Sequence, residues 1–212
     1  MSCAQCQGIE ELFSEAYVNK ELQRYRARGP IKTTGMLIEA IRQTAVEGLT
    51  LLDIGGGVGA LQHALLQAGA QEATSVDASQ AYTDAAREEA QRRGLSSRVK
   101  QVHANFTDAA DRIAPADIVT LDRVICCYDD MEKLVRLSAE RARRLYGLVY
   151  PRDTWWLRFG LRLENAYFKL SRCPYRSFIH SSQAVEGLLK EKGFRRISYR
   201  RTLFWQVAVF AR

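Results

Sequence analysis

The chain has 212 residues, 47% of them hydrophobic and 26% charged, the balance of a globular protein with one sizeable core. It has no run of about eighteen apolar residues, which excludes a hydrophobic transmembrane helix, and its start, Met1–Cys6, lacks the basic-then-apolar pattern of a secretory signal. A cytoplasmic location is expected. The net charge of +7 is unevenly spread: residues 1–140 carry 15 Lys/Arg against 20 Asp/Glu, and residues 141–212 carry 16 against 4. The last third therefore offers a basic surface, either solvated or facing an anionic partner.

In chain order, residues 9–28 read as an amphipathic helix stopped by Gly29-Pro30, and Thr33 or Thr34 can cap a second helix running to about Gly48. Leu49–Ile54 is a short apolar run that suits a buried parallel strand, followed by glycines at 55–57 and 59 and a helix over 60–68. The alternation repeats. Ala73–Asp77 is a strand, Ser79 caps a helix to Gly94, and Arg98–His103 is a strand before a helical stretch at 108–113. Asp117–Leu121, a helix over 130–144 and a strand at Leu145–Tyr150 follow. A long helix over 154–171 and another over 182–192 precede two strands, Arg195–Leu203 and Trp205–Phe210, too close together for a helical crossover.

Strands spaced by helices imply right-handed crossovers and a sheet covered on both faces. The predicted fold is α/β: a doubly wound, mostly parallel seven-stranded sheet ending in an antiparallel hairpin. It forms a single domain over 1–212, with N-terminal helices at 9–48 and an inserted, lid-like helix at 154–172.

Five cysteines, Cys3, Cys6, Cys126, Cys127 and Cys173, make an odd count in a chain that needs no disulfide, so reduced thiols are expected. Cys3-x-x-Cys6 with Cys126-Cys127 is a poor zinc set, because adjacent cysteines chelate together badly. No metal is expected.

Asp53-Ile-Gly55-Gly-Gly57-Val-Gly59 is the most informative stretch. Glycines between a strand and a helix allow a sharp turn and close approach of a ligand to the main chain, and the helix start offers free N–H groups to an anion. Eighteen residues beyond Gly59, the second strand ends at Asp77, whose carboxylate can accept from two ribose hydroxyls. The same glycines also fit the dinucleotide pattern, with Gly55, Gly57 and Ala60 as G-x-G-x-x-A. Asp53 ends its strand where a dinucleotide site usually has an apolar residue, and the final hairpin replaces that fold's second half.

The motif D-x-G-x-G-x-G at Asp53–Gly59, the acid at Asp77 and the final antiparallel strand resemble the class I S-adenosylmethionine-dependent methyltransferases, well over residues 45–150 and in layout beyond. The resemblance implies S-adenosyl-L-methionine as cofactor and S-adenosyl-L-homocysteine as product. It implies Asp53 near the methionine ammonium, Gly55, Gly57 and Gly59 around the methionine, and Asp77 with Ala78 at the ribose. Asn105-Phe106 stand where the family has an acid near the adenine, and Asp122 joins the cofactor set. A narrower likeness, Arg123-Val-Ile-Cys-Cys-Tyr-Asp-Asp followed by Phe178-Ile-His180, is to magnesium-protoporphyrin O-methyltransferases and related small-molecule enzymes; it carries no substrate with it.

Ligands of parallel α/β sheets bind beyond the carboxyl ends of the strands, so Arg123, Tyr150 and Arg152 are expected at the acceptor. His180 and Tyr128 are the catalytic candidates, with a loop histidine that helps its helix start as the alternative for His180. His63 and His103 read as packing or surface residues. No proline precedes Cys126 as in cytosine-C5 enzymes, and no Asn/Asp-Pro-Pro-Tyr motif is present. The expected partner is thus a small-molecule acceptor and not DNA, with RNA disfavoured and the oligomeric state open. An RNA- or protein-modifying enzyme and a nonenzymatic cofactor-binding regulator are the alternatives. Over 154–172, Arg158, Arg162, Asn165, Lys169 and Arg172 make one stripe among large apolar residues. That pattern suits a packed helix with a solvated face, a lid whose basic stripe meets an apolar, anionic, aromatic acceptor, or a peripheral membrane contact.

Overall fold

The structure, a computed structural model, describes residues 4–212, with side chains from Gly8 onward. Cys3 lies outside the described residues, as does the side chain of Cys6. Seven strands form one sheet: β1 (Thr50–Ile54), β2 (Glu72–Asp77), β3 (Val99–His103), β4 (Ala116–Asp122), β5 (Ala142–Pro151), β6 (Arg195–Arg201) and β7 (Trp205–Ala211). Their order is β3-β2-β1-β4-β5-β7-β6. The first five run parallel, and β7 lies antiparallel between β5 and β6. The predicted architecture is the observed one.

Nine α-helices surround the sheet in the described residues: α1 (Ala4–Leu12), α2 (Glu15–Arg28), α3 (Lys32–Arg42), α4 (Ala60–Gln67), α5 (Gln80–Arg92), α6 (Phe106–Ala109), α7 (Met131–Arg141), α8 (Trp155–Leu170) and α9 (Ser182–Glu191). Side chains alternate across a strand, so the continuous apolar runs of the central strands feed two cores. Leu52, Val119 and Tyr146 pack with α7 and α9 on one face. Leu51, Ile118 and Val149 pack with α3 and α4 on the other. A third cluster joins Val18, Leu22 and Tyr25 of α2 to Tyr82 and Ala85 of α5.

The chain winds outward from β1 to β3 and then returns to β4, which makes the gap above β1 and β4 the topological switch point where such sheets bind ligands. α2 is held beside it by charge. Glu89, fully buried, receives Arg26 Nε at 2.8 Å, Arg92 Nη2 at 2.6 Å and Arg93 Nε at 2.7 Å. The guanidinium groups, Arg92 foremost, keep its carboxyl well below the usual carboxylate range.

Several predicted boundaries shift. The first helix breaks at Phe13–Ser14 into α1 and α2. Thr33 and Thr34 lie inside α3, which Ile31 precedes and which ends at Arg42. Thr34 is occupied instead as a donor to Asp122. The helix expected to reach 144 stops at Arg141, because pairing of Ala142 with Ala116 starts β5 three residues early. Ser79 and Asp130 do cap α5 and α7, accepting from the N–H groups of Tyr82 and Lys133.

Candidate active site

A cavity of about 650 Å³ opens over the carboxyl ends of β1, β2 and β4, within the range of roughly 300–1,000 Å³ usual for ligand sites. Its floor is the glycine loop. Gly55 has φ +66°, and a Cβ there would lie 2.4 Å from Val124 Cγ2. Gly56, which sequence reasoning passed over, is excluded from bearing a side chain by what lies beneath it: a Cβ would stand 2.3 Å from Gln62 Nε2 and 2.4 Å from Ser75 Oγ.

Those atoms belong to a buried network built on Asp53. Its Oδ1 accepts from Thr120 Oγ1 at 2.7 Å and its Oδ2 from Gln62 Nε2 at 3.1 Å, while Gln62 Nε2 also reaches Ser75 Oγ at 2.8 Å. Burial pushes the Asp53 carboxyl up to about 7 despite these donors. Asp53 therefore props the loop from behind. It borders a small side pocket under the loop and not the main cavity.

Asp77 meets the loop from the next strand. Oδ2 accepts from Gly57 N–H at 3.0 Å and Oδ1 from Ser79 N–H at 2.9 Å. Burial raises its pKa to about 6. A carboxylate has about four acceptor sites, so each oxygen retains one lone pair toward the cavity that Asp77 lines.

At the end of β4, Asp122 and Arg123 form the charged corner. Arg123 is not glycine yet has φ +61°, a backbone state costing about 1–3 kcal/mol that clusters at functional sites. Its N–H donates to Val149 O at 2.8 Å. Asp122 Oδ1 and Arg123 Nε are 3.7 Å apart, and both are buried without a hydrogen-bond partner. Burial raises the Asp122 carboxyl above its ordinary value, opposed by Arg123 and Thr34. Glu21 of α2 completes the corner, accepting from Tyr82 Oη at 2.6 Å and lying 3.8 Å from Arg123 Nη2.

A buried acceptor and a buried donor side by side fit an ammonium and a carboxylate on one ligand, as a methionine moiety carries them. The lone pairs of Asp77 fit ribose hydroxyls. The residues present thus suit S-adenosylmethionine.

The cavity's far end is aromatic. Trp156, Leu157 and Leu161 of α8, Tyr175, Phe178 and Phe204 line it. Phe13 bridges to the cofactor end, 5.2 Å from the Tyr82 ring and 6.4 Å from that of Tyr175. Cys126 and Cys127 line the wall between, each thiol near Arg123 O, and Cys127 Sγ lies 3.1 Å from Tyr175 Oη.

The expected site residues separate into two groups. Gly55, Gly57, Asp77, Ala78, Phe106, Asp122, Arg123 and Tyr128 border this cavity; Asp53, Gly59, Asn105, Tyr150, Arg152 and His180 do not. Gly59 turns the chain into α4. Asn105 accepts from Tyr128 Oη at 2.6 Å and donates to Asp108 at 2.9 Å, so its amide oxygen and the Tyr128 proton are committed to each other. Tyr150 is buried in the core, and Arg152 turns to the carbonyls of Thr202 and Leu203. His180 Nε2 lies 2.9 Å from Ile125 O and 2.8 Å from Tyr128 O. Carbonyls only accept, so this nitrogen carries a proton, and burial lowers the ring's pKa. The ring braces the turn that holds the two cysteines. His63 is buried beside Tyr25, and His103 bridges Glu10 and the Ala78 carbonyl.

The basic stripe is also relocated. Arg158, Arg162, Lys169 and Arg172 face away from the cavity, and Asn165 instead pins α8 to Ser177 by two hydrogen bonds of 2.8 and 3.0 Å. The anionic acceptor inferred from that stripe loses its geometric basis. Glu21, Phe13, Tyr82 and Tyr175 were missed. Glu21 lies four residues after Tyr17 on the same helix face, and both line the cavity.

Residues 51–145 match the family model of a methyltransferase domain. No curated protein sequence matches the chain. Among solved structures, magnesium protoporphyrin IX methyltransferase from Synechocystis PCC 6803, with bound S-adenosylhomocysteine, is similar at 19% identity over 98% of this chain and 99% of that one, with a TM-score of 0.76. An O-methyltransferase family 2 protein from Planctomyces limnophilus in complex with apigenin is 16% identical over 93% of this chain and 61% of its own, with a TM-score of 0.66. Mitomycin 7-O-methyltransferase is 20% identical over 84% and 53%, with a TM-score of 0.61. At these identities the structures establish the fold. The match over residues 51–145, which takes in the glycine loop, marks a methyltransferase domain within that fold.

Proposed function

We propose that the enzyme methylates a small, apolar, aromatic acceptor held in the far end of the cavity. The observation that carries this reading is the continuity of one cavity from the glycine loop to an aromatic wall, with Arg123 the only cation lining it among the described residues. A polyanion would call for more positive charge there.

S-adenosylmethionine, when bound, supplies an electrophilic methyl on a sulfonium. Asp122 and Arg123 would hold its amino-acid group, Asp77 its ribose, and Phe106 and Ala78 the base. Phe13, Tyr82 and Tyr175 line the stretch between the cofactor end and the acceptor end with aromatic surface. Trp156, Phe178 and Phe204 orient the acceptor ring. Orientation of two reactants alone contributes roughly 7–11 kcal/mol to a displacement. Among the described residues no histidine lines the cavity, which suits an acceptor atom that needs no histidine base, such as an anionic or weakly acidic oxygen.

The test is label transfer from methyl-labelled S-adenosylmethionine to a panel of planar phenols and aromatic carboxylic acids, with bulk RNA in parallel. Turnover on an aromatic compound is expected, and Trp156→Ala should raise its KM about tenfold while S-adenosylhomocysteine affinity holds. Labelling of RNA alone, or an acceptor KM indifferent to Trp156, would overturn the assignment.

A further inference from the structure

α8 turns Trp156, Leu157, Gly160 and Leu161 toward the cavity. Its outer face carries Trp155, Phe159, Leu163, Tyr167 and Leu170, which recur every three or four positions and so form one row. They are 80%, 59%, 58%, 67% and 85% exposed, and no residue of α8 is buried. Five large apolar side chains in a row exceed what a solvated helix face carries. The row continues onto the turn between β6 and β7. Leu203 and Phe204 are exposed there, and the Phe204 ring lies 5.7 Å from that of Trp156.

Along one edge of the row lie Arg158, Arg162 and Lys169, all exposed, and Arg172 follows the helix. Glu164 is the only acid between 155 and 172. Arg158 is paired with Asp153 at 2.5 Å, which leaves the stripe strongly positive.

We infer that this face is a membrane-binding surface, with α8 and the β6–β7 turn lying in the headgroup layer of an anionic bilayer. An aromatic and leucine row edged by arginine and lysine is the composition that binds in the plane of such an interface, rings into the acyl boundary and cations at the phosphates. The charge argues against a second copy as occupant, because two such stripes would meet like against like. Docking this way would bring the roof of the cavity to the bilayer, where an apolar acceptor dissolves. That last consequence rests on the proposed acceptor; the surface itself rests on exposure and charge alone.

Flotation of the full chain with vesicles tests the idea. The protein should float with vesicles of equal parts phosphatidylcholine and phosphatidylglycerol and stay behind with phosphatidylcholine alone. Phe159→Glu with Leu163→Glu should lower the partition about tenfold or more, and Arg158→Glu with Arg162→Glu should weaken binding and flatten its salt dependence. S-adenosylhomocysteine affinity, read by calorimetry, should hold in every variant. Should the glutamate pair disturb it, Trp155→Ser with Leu170→Ser, at the helix ends, replaces that variant. Failure of the wild type to float with anionic vesicles at low salt overturns the inference. So does flotation indifferent to the apolar substitutions, or a wild-type dimer in sedimentation that they dissolve.

Discussion

Replacing Asp77 by asparagine separates its two jobs. In the structure both carboxylate oxygens are engaged, one by Gly57 N–H and one by Ser79 N–H, at 3.0 and 2.9 Å. An amide can accept through only one oxygen, so one of these N–H groups must face an NH2. Hydrogen bonds to charged groups contribute about 1.5–3 kcal/mol, which corresponds to roughly tenfold to hundredfold in affinity. Calorimetry should therefore show S-adenosylhomocysteine binding weakened by that factor in Asp77→Asn. The wild type should also lose affinity for the 2′-deoxy analogue, and the variant should lose much less, since the hydroxyl's partner is already compromised. pH adds an independent reading. With the cofactor-free pKa near 6, wild-type affinity should be flat above that value and fall below it as Asp77 takes up a proton, whereas the variant should show no such fall. A folded Asp77→Asn protein that binds normally and still discriminates the 2′-deoxy analogue would refute the ribose assignment.

Asp53 should leave its mark on stability. Its folded pKa, near 7, lies above its ordinary 3.8, so between these values the folded state binds more protons than the unfolded one. Its contribution is then fully present at low pH and lost as pH rises through 7. The difference in unfolding free energy between Asp53→Asn and wild type, read by denaturant titration, should shift in favour of the variant from pH 4 to pH 8, by an amount on the order of 4 kcal/mol at most; a difference independent of pH would remove the carboxylate from this account. For His180, bound to two carbonyls, His180→Ala should lower stability by about 1–3 kcal/mol, the cost of unsatisfied buried groups. The pH profile of kcat/KM should keep its apparent pKa; loss of that pKa would restore His180 as the base.

The strands, the glycine loop and the cap at Ser79 were legible in the sequence because local signals agreed with the sheet that buries them. Four apolar positions among the six residues before a glycine cluster read as β1, and Asp77 fell at the end of β2 where the next turn needed it. The start of β5 was not legible, because Ala142–Arg144 continue a helical pattern and only the ladder with Ala116 converts them to strand. Tyr17 and Tyr25 share a face of α2 in the sequence, yet the structure divides them. Tyr17 lines the cavity, while Tyr25 is buried under Arg93, whose guanidinium carbon is 4.9 Å from its ring. Position alone made His180 attractive as a base, but a histidine's role depends on what its nitrogens face, here two carbonyls separated from it by more than fifty residues. The stripe on α8 was correctly grouped as a pattern, but its direction depends on which neighbours the helix meets, which periodicity does not encode.

The two ends of the cavity are held in different ways, and this bears on how such an enzyme acquires its acceptor. Around the cofactor end, Asp122 Oδ1 and Arg123 Nε are left for the ligand, while the groups that shape the loop are already committed: Asp53 to Thr120 and Gln62, Asp77 to two backbone N–H groups, Tyr82 to Glu21. Such a network costs little reorganisation on binding and tolerates little substitution. The acceptor end depends on α8, which has no buried residue and is tied down by Trp156 against Phe204, Phe168 against Tyr175 and the Asn165–Ser177 bonds. Few buried contacts mean a low local free energy of opening, so this helix can lift while the sheet and the glycine loop stay in place. Cofactor specificity is therefore fixed by the fold's rigid centre. If the proposed acceptor end is right, acceptor choice can change through the side chains on one marginally anchored helix, without disturbing the chemistry at the switch point.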